Sequence, residues 1–303
     1  MDGFNQQFIF SIIIIGLGYL VKRTNILKER DGEALARIIF NLTLPSLIIV
    51  TFHDLTIEPT LLVLVIAAIV AGIFLSFIGI LLFKKEQKST RGMLIMMIPG
   101  YNVGLFAYPL VEGIWGTEGI KYFGLFDVGN AFIVFGLSYL LGSYYTSEET
   151  KVSMRDISLK LVKSIPLMTY MIVFLLNVLH IPLPSLFIDT ASIISSANMP
   201  LSLLLLGVYL NFTFHKEYLR VVSNFLMARY GIGLLLGILL FILLPFEPMI
   251  RYTLLIGLIL PIPVSALPYA VEFGYDKRFV GTVSNMTILL SFVLIWVIIN
   301  VTF

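Results

Sequence analysis

The sequence predicts an all-α integral membrane protein, with ten transmembrane helices arranged as two inverted five-helix repeats. Three observations predict it. Only 13% of the 303 residues are charged and 58% are hydrophobic, with a mean hydropathy of +0.98, whereas soluble domains are about a quarter charged. Lys and Arg cluster in every second loop. Prolines recur at matched places in the two halves of the chain.

Ten apolar segments can be drawn. The first, 5–21, ends at Lys22 and Arg23; the second, 34–52, carries Asn41 and Pro45. The third, 60–83, is 24 residues without a charge, where about 20 span the hydrocarbon core. The fourth, 92–112, contains Pro99, Pro109 and Glu112, and the fifth, 121–145, contains Asp127 and Asn130. A linker, 146–158, follows with Glu148, Glu149, Lys151, Arg155 and Asp156. It separates a first repeat, 1–145, from a second, 159–303. There the segments are 159–179, 187–210 with Asn198 and Pro200, 219–245 with Arg229, 250–272 with three prolines and Glu272, and 279–302, which is uncharged. The N-terminus MDGFNQQ lacks a basic region, so no cleavable signal peptide is expected.

Loops after odd segments hold 16 of the 20 basic residues, from Lys22 and Arg23 to Lys277 and Arg278. Loops after even segments hold Lys121 and Arg251. The positive-inside rule therefore places the odd loops in the cytoplasm and both termini outside. Five segments per half start the second half on the opposite side, so the repeats are inverted.

The halves also resemble each other in detail. "IIFNLTLPSLIIV" in the second segment answers "ISSANMPLSLLLLGV" in the seventh. "IPGYNVGLFAYPLVEGIWG" in the fourth answers "LPIPVSALPYAVEFGYD" in the ninth. Each of the latter has an early Pro, a small or polar centre, a second Pro, then Glu and Gly. Proline-interrupted segments at corresponding positions of inverted repeats point to a transporter's substrate site. Proline removes a backbone donor and glycine loosens a helix. Broken helices 4 and 9 are expected to cross at the midplane, with Pro99, Pro109, Pro261 and Pro268 as the helix-break residues.

A broken helix exposes N–H groups and a positive dipole end that suit a carboxylate. Tyr101, Asn102 and Gly104 lie in the first break; Pro263 and Ser265 lie in the second. With Asn130 and Asn285 from segments 5 and 10, they form the expected substrate-binding set. Asn102 is read first as a ligand and second as a cap of the break. Asp127, a carboxylate inside a segment, is the candidate for ion or proton coupling; the alternative is partial hydration near the outer interface. Glu112 and Glu272 are expected to be interface charges. Arg229 could attract a substrate anion or pair with a buried acid, but nine residues after Arg220 it is expected to snorkel to the cytoplasmic side. Arg37 is also expected at the interface.

The blocks "RIIFNLTLPSLIIVTF", "NVGLFAYPLVEGIWGTEGIKYFGLFDVGN", "NMPLSLLLLGVYL" and "ALPYAVEFGYDKRFVGTVSNMTILLS" resemble those of the auxin efflux carrier family, in order across almost the whole chain. The family includes plant PIN carriers and bacterial organic-acid carriers. The resemblance implies a fold similar to sodium/proton antiporters and bile-acid transporters. It implies a scaffold domain from helices 1, 2, 6 and 7 and a transport domain from helices 3–5 and 8–10. It also implies an elevator-type exporter or exchanger of small organic anions, homodimeric through the scaffold. The 13-residue linker departs from the long loop of plant PIN carriers, and the Pro261–Pro263 pair is a second departure, so auxin itself is not carried over.

Other classes fit less well. There is no cysteine, and His53, His180 and His215 fall in or near separate loops, so no HExxH metal site exists. One carboxylate well inside a segment does not make an aspartyl dyad, and no Walker A motif is present. The expectation is a carrier and not an enzyme, in the plasma membrane, with no metal or cofactor and no nucleic-acid partner, in contact with lipid and a small organic anion. A channel, and proton- or sodium-coupled symport or antiport on the same fold, are the alternatives.

Overall fold

The computed structural model describes residues 2–28, 30–55, 58–146, 152–211 and 216–302. Glu148, Glu149 and Lys151 of the linker, and His215, lie outside the described residues. Among the described residues all regular structure is helical. Seven helices are long and apolar enough to cross a membrane, or eight if one bent pair is a single span.

Helix α1 covers Asp2–Arg23. The second segment is α2 (Asp31–Ile38), a π-turn at Ile39–Thr43, and α3 (Leu44–Phe52). Helix α4 is Leu62–Leu82. The fourth and fifth segments are built from α5 (Lys88–Met97), a π-turn at Val103–Ala107, α6 (Tyr108–Phe132), a π-turn at Ile133–Ser138 and α7 (Tyr139–Tyr144). Helix α6 holds a change of direction at Gly116, whose φ of 62° is open to glycine because it has no Cβ. Next come α8 (Met154–Lys163) and α9 (Ile165–Val178), bent 71° apart. They are followed by α10 (Ser185–Ser195), α11 (Asn198–Tyr209) and α12 (Leu219–Leu243). The chain ends with α13 (Pro248–Gly257), α14 (Ala266–Glu272) and α15 (Lys277–Thr302).

The apolar segments 92–112 and 250–272 are interrupted: the first is divided between α5 and the helical run that begins at Val103, the second between α13 and α14. Helices α5 and α13 have 10 residues each, a rise of about 15 Å against a hydrocarbon core of about 30 Å. The segment expected at 159–179 starts earlier, at Met154, inside the expected linker. Arg155, Asp156, Lys160 and Lys163 obscured this helix, which opens on a Ser153–Asp156 capping box.

Helix α1 packs along α11. The backbones touch there: a Cβ on Gly18 would fall 2.1 Å from the Leu204 carbonyl oxygen, and one on Gly207 would fall 2.0 Å from that of Ile15. Helix α3 packs on α9 and α10. Asn177 Nδ2 donates to the Phe52 carbonyl at 2.6 Å, and Thr43 Oγ1 donates to Asn198 Oδ1 at 3.0 Å. A second group of contacts joins α4 to α6, α12 to α13, α13 to α6 and α14 to α15. Ile66, Val70 and Phe77 on α4 are exposed, as expected of a face that meets acyl chains. Unbroken runs of buried residues, 92–111 and 253–263, take in the stretch between α5 and α6 and the one after α13.

Candidate functional site: the crossing of two broken helices

Both proline-rich segments lose their helix at the centre, and the two unwound stretches meet. The first runs over residues 98–102 and the second over 258–265. The Asn102 N–H donates to the Pro261 carbonyl at 2.9 Å, which ties one stretch to the other. Gly100 sits where they pass: a Cβ there would lie 2.8 Å from Val134 and 3.0 Å from the Pro263 ring.

Unwinding frees backbone groups that must find partners in the apolar core, and specific side chains supply them. In the first stretch Asn130 takes both groups of Tyr101. Its Oδ1 accepts from the Tyr101 N–H at 2.9 Å and its Nδ2 donates to the Tyr101 carbonyl at 2.9 Å. In the second stretch Thr287 Oγ1 accepts from the Ile262 N–H at 3.3 Å. Ser291 Oγ donates to the Ile259 carbonyl at 2.7 Å. Tyr230 supports both, donating to the Thr287 carbonyl at 2.8 Å and lying 2.7 Å from Ser291 Oγ.

The remaining carbonyls converge on Arg229. Its Nη1 donates to Met97 at 3.3 Å and to Ile98; its Nη2 donates to Gly100 at 2.7 Å, Leu260 at 3.0 Å and Pro261 at 3.3 Å. The guanidinium lies 4.6 Å from the centre of the Tyr101 ring. Arg229 is 0% exposed. The expectation that it snorkels to the cytoplasmic face is therefore corrected. Spacing from Arg220 suggested reach to water, but the unwound carbonyls offer better-placed acceptors.

Several expected site residues come together here: Tyr101, Asn102, Asn130, Pro263 and the breaker prolines Pro99 and Pro261. Asn102 is the N-cap of the π-turn Val103–Ala107, its Oδ1 accepting from the Leu105 N–H at 3.3 Å. Gly104 faces α3, where a Cβ would meet Leu44 at 3.1 Å. Ser265 occupies the N-cap position of α14 without a side-chain cap. One of the four expected breakers is corrected: Pro268 lies inside the first turn of α14, where a missing N–H costs nothing because that donor has no helical partner. Pro109 instead follows the π-turn Val103–Ala107 within one continuous helical run, at the point where the irregular turn gives way to α6. Asn285 is also corrected: it accepts from the Asn211 N–H at 3.1 Å and donates to Gly281 at 2.9 Å, away from the crossing. Thr287 does the work expected of it, since two residues turn a helix by about 200° and reverse the face.

Asp127 is half-buried. Its Oδ1 accepts from Asn130 Nδ2 at 3.1 Å and its Oδ2 from the Tyr108 hydroxyl at 3.1 Å. Tyr108 is in hydrogen-bond contact with Tyr170 of α9. A continuous polar chain thus runs from the Tyr101 backbone through Asn130, Asp127 and Tyr108 to Tyr170. Glu272 is held by Lys160 Nζ at 2.8 Å and by the Tyr139 hydroxyl. Glu112 is half-buried, and its Oε2 takes no hydrogen bond among the described residues.

Apolar spans surrounding a polar, interrupted centre define a membrane transporter. A family profile described as membrane transport protein matches residues 5–299, and the chain belongs to that family, that of the auxin efflux carriers. It is 23% identical over 296 residues, 96% of each chain, to an uncharacterized transporter of Methanothermobacter thermautotrophicus. It is 26% identical over 210 residues to an uncharacterized transporter of Methanocaldococcus jannaschii, 66% of this chain and 67% of that one.

Proposed function

We propose that this transporter is a secondary carrier of small organic anions, working by alternating access in the cell membrane with both termini outside. The observation that carries the reading is the Asn102–Pro261 hydrogen bond, which brings the two breaks to one point. Beyond Asn102 the first N–H groups of the π-turn have no partner within the helix, and with the positive end of the dipole they suit a carboxylate. Asn102 uses Oδ1 on its cap and presents Nδ2 to the substrate. Tyr101, Pro263 and Ser265 line the same place in this reading, with Asn130 bracing it, and Gly104 lets the following turn approach α3.

In this reading the chain crosses ten times, as inverted repeats 1–145 and 159–303. The segments interrupted at the crossing and the turn of α6 at Gly116 support the count. The packing groups support a scaffold from helices 1, 2, 6 and 7 and a transport domain from 3–5 and 8–10. The transport domain slides against the scaffold as an elevator, and the scaffold forms a homodimer.

Saturable proteoliposome uptake of a radiolabelled mono- and dicarboxylate panel, with counterflow, is the expected result. Absence of saturable flux for every anion refutes the carrier, and flux without counterflow favours a channel. Asn102→Ala should raise the substrate KM about tenfold, the loss of one hydrogen bond to a charged group of about 1.5 kcal/mol. An unchanged KM removes Asn102 from the site. Asp127 lies on the polar chain from the crossing to α9, so a proton role predicts that Asp127→Asn flattens the pH profile of uptake. A profile identical to wild type rejects that role.

A further inference from the structure

Arg229 is a buried cation that the carrier reading does not use. Among the described residues no carboxylate forms an ion pair with it: its hydrogen bonds go to five backbone carbonyls. An isolated charge is expensive inside a membrane protein unless its surroundings are built for it. Here they are. Met97 is the last residue of α5 and Ile98 its C-cap. Leu260 and Pro261 lie just past the end of α13, which closes at Gly257. The guanidinium therefore sits between the C-terminus of α5, with its orphan carbonyls and negative dipole end, and the unwound carbonyls that follow α13. Such a cluster is where a broken-helix carrier coordinates a metal cation. Lys offers three donors on one nitrogen, whereas the planar fork of Arg offers five, spread widely enough to reach both chains.

We propose that Arg229 is the resident cation of the crossing: it fills the place a mobile monovalent cation would take, and positions the two breaks as one unit. It acts on the site by fixing the Gly100 carbonyl, just before Tyr101, and the Pro261 carbonyl that accepts from Asn102. Two consequences follow. The crossing of the wild-type protein has no vacancy for sodium, so binding there does not stabilise the fold. Removing the side chain leaves a cage of carbonyls that a small monovalent cation fits. The inference deepens the carrier reading but is tested without substrate.

The test is thermal unfolding of the detergent-purified full chain in sodium chloride, guanidinium chloride or choline chloride, at equal millimolar ionic strength. The wild-type midpoint should be the same in all three. Arg229→Ala should unfold several degrees lower in choline and recover part of the loss, saturably, in sodium or guanidinium. A merely structural arginine gives the drop without the rescue. Saturable stabilisation of the wild type by sodium overturns the proposal, and so does an Arg229→Ala midpoint that ignores both cations. If Arg229→Ala does not fold, Arg229→Lys and the wild type decide: both should be indifferent to sodium, and a saturable sodium shift in either overturns it. A failed carboxylate panel refutes the carrier and leaves this result standing.

Discussion

The two breaks solve one problem with different chemistry. The first, at residues 98–102, is short and is served by an amide: Asn130 satisfies both backbone groups of Tyr101. The second, at 258–265, is longer and is served by hydroxyls, each of Thr287 and Ser291 meeting one backbone group. The first also has Asp127 within hydrogen-bond distance of its amide. In the second, the residue three before Thr287 is Ser284, which only accepts Thr287's own hydroxyl proton at 2.8 Å. Both breaks unwind in the same way, but the carboxylate is on one side. The difference teaches that the two breaks share one cation, Arg229, but only the first has a carboxylate beside its brace.

The comparison is sharpened most by deleting the two braces in turn. Asn130→Ala orphans an N–H and a carbonyl, each costing about 1–3 kcal/mol when buried, so a loss of about 3 kcal/mol is expected in chemical or thermal unfolding. Thr287→Val orphans one N–H, and about 1 kcal/mol is expected, near the usual value for interhelical hydrogen bonds in membranes. Equal losses would break the claimed asymmetry. Gly100→Ala tests the contact between the breaks. Its new methyl must displace Val134 or the Pro263 ring, an overpacking cost of about 1–3 kcal/mol, with a fall in transport rate larger than that in Gly231→Ala, where a Cβ meets nothing.

The smallest effect is expected far from the crossing, at the start of α8. The Ser153 backbone N–H and hydroxyl hold the Asp156 carboxyl below its ordinary value. A group whose folded value is depressed contributes stability above its unfolded value and loses it as pH falls through the folded one. The protection factor of amides in the first turn of α8, with the intrinsic pH dependence of exchange divided out, should therefore fall as pH drops below the ordinary carboxylate range, and Asp156→Asn should remove that dependence. The crossing itself should be unaffected.

Much of this was legible in the sequence. Pro99, Gly100 and the Pro261–Pro263 pair announce helices that cannot continue, and Asn102 and Asn130 stand out as amides in apolar surroundings. Membrane crossing follows from uncharged runs such as 60–83. What escaped depends on direction and on partners. Pro268 has the composition of a breaker but stands at a helix start, where its chemistry is harmless. Asn285 and Thr287 are separated by half a turn of α15, so the more polar residue was the wrong one. Thr287 and Ser291, four apart on one face of an apolar helix, were the available signal. Arg229 was hidden because its acceptors are backbone carbonyls, which carry no residue type. Only the unwinding of two distant segments brings them together.

The π-turn at Val103–Ala107 holds one residue more than an α-helical ladder needs. That surplus acts as a phase shifter. Excising one residue between Asn102 and Tyr108 would let the ladder close regularly and strengthen the helix locally. It would also rotate α6 by about 100° relative to Asn102, swinging Asn130 away from the Tyr101 backbone and the Tyr108 hydroxyl away from Tyr170. A more regular helix would then be a disconnected one.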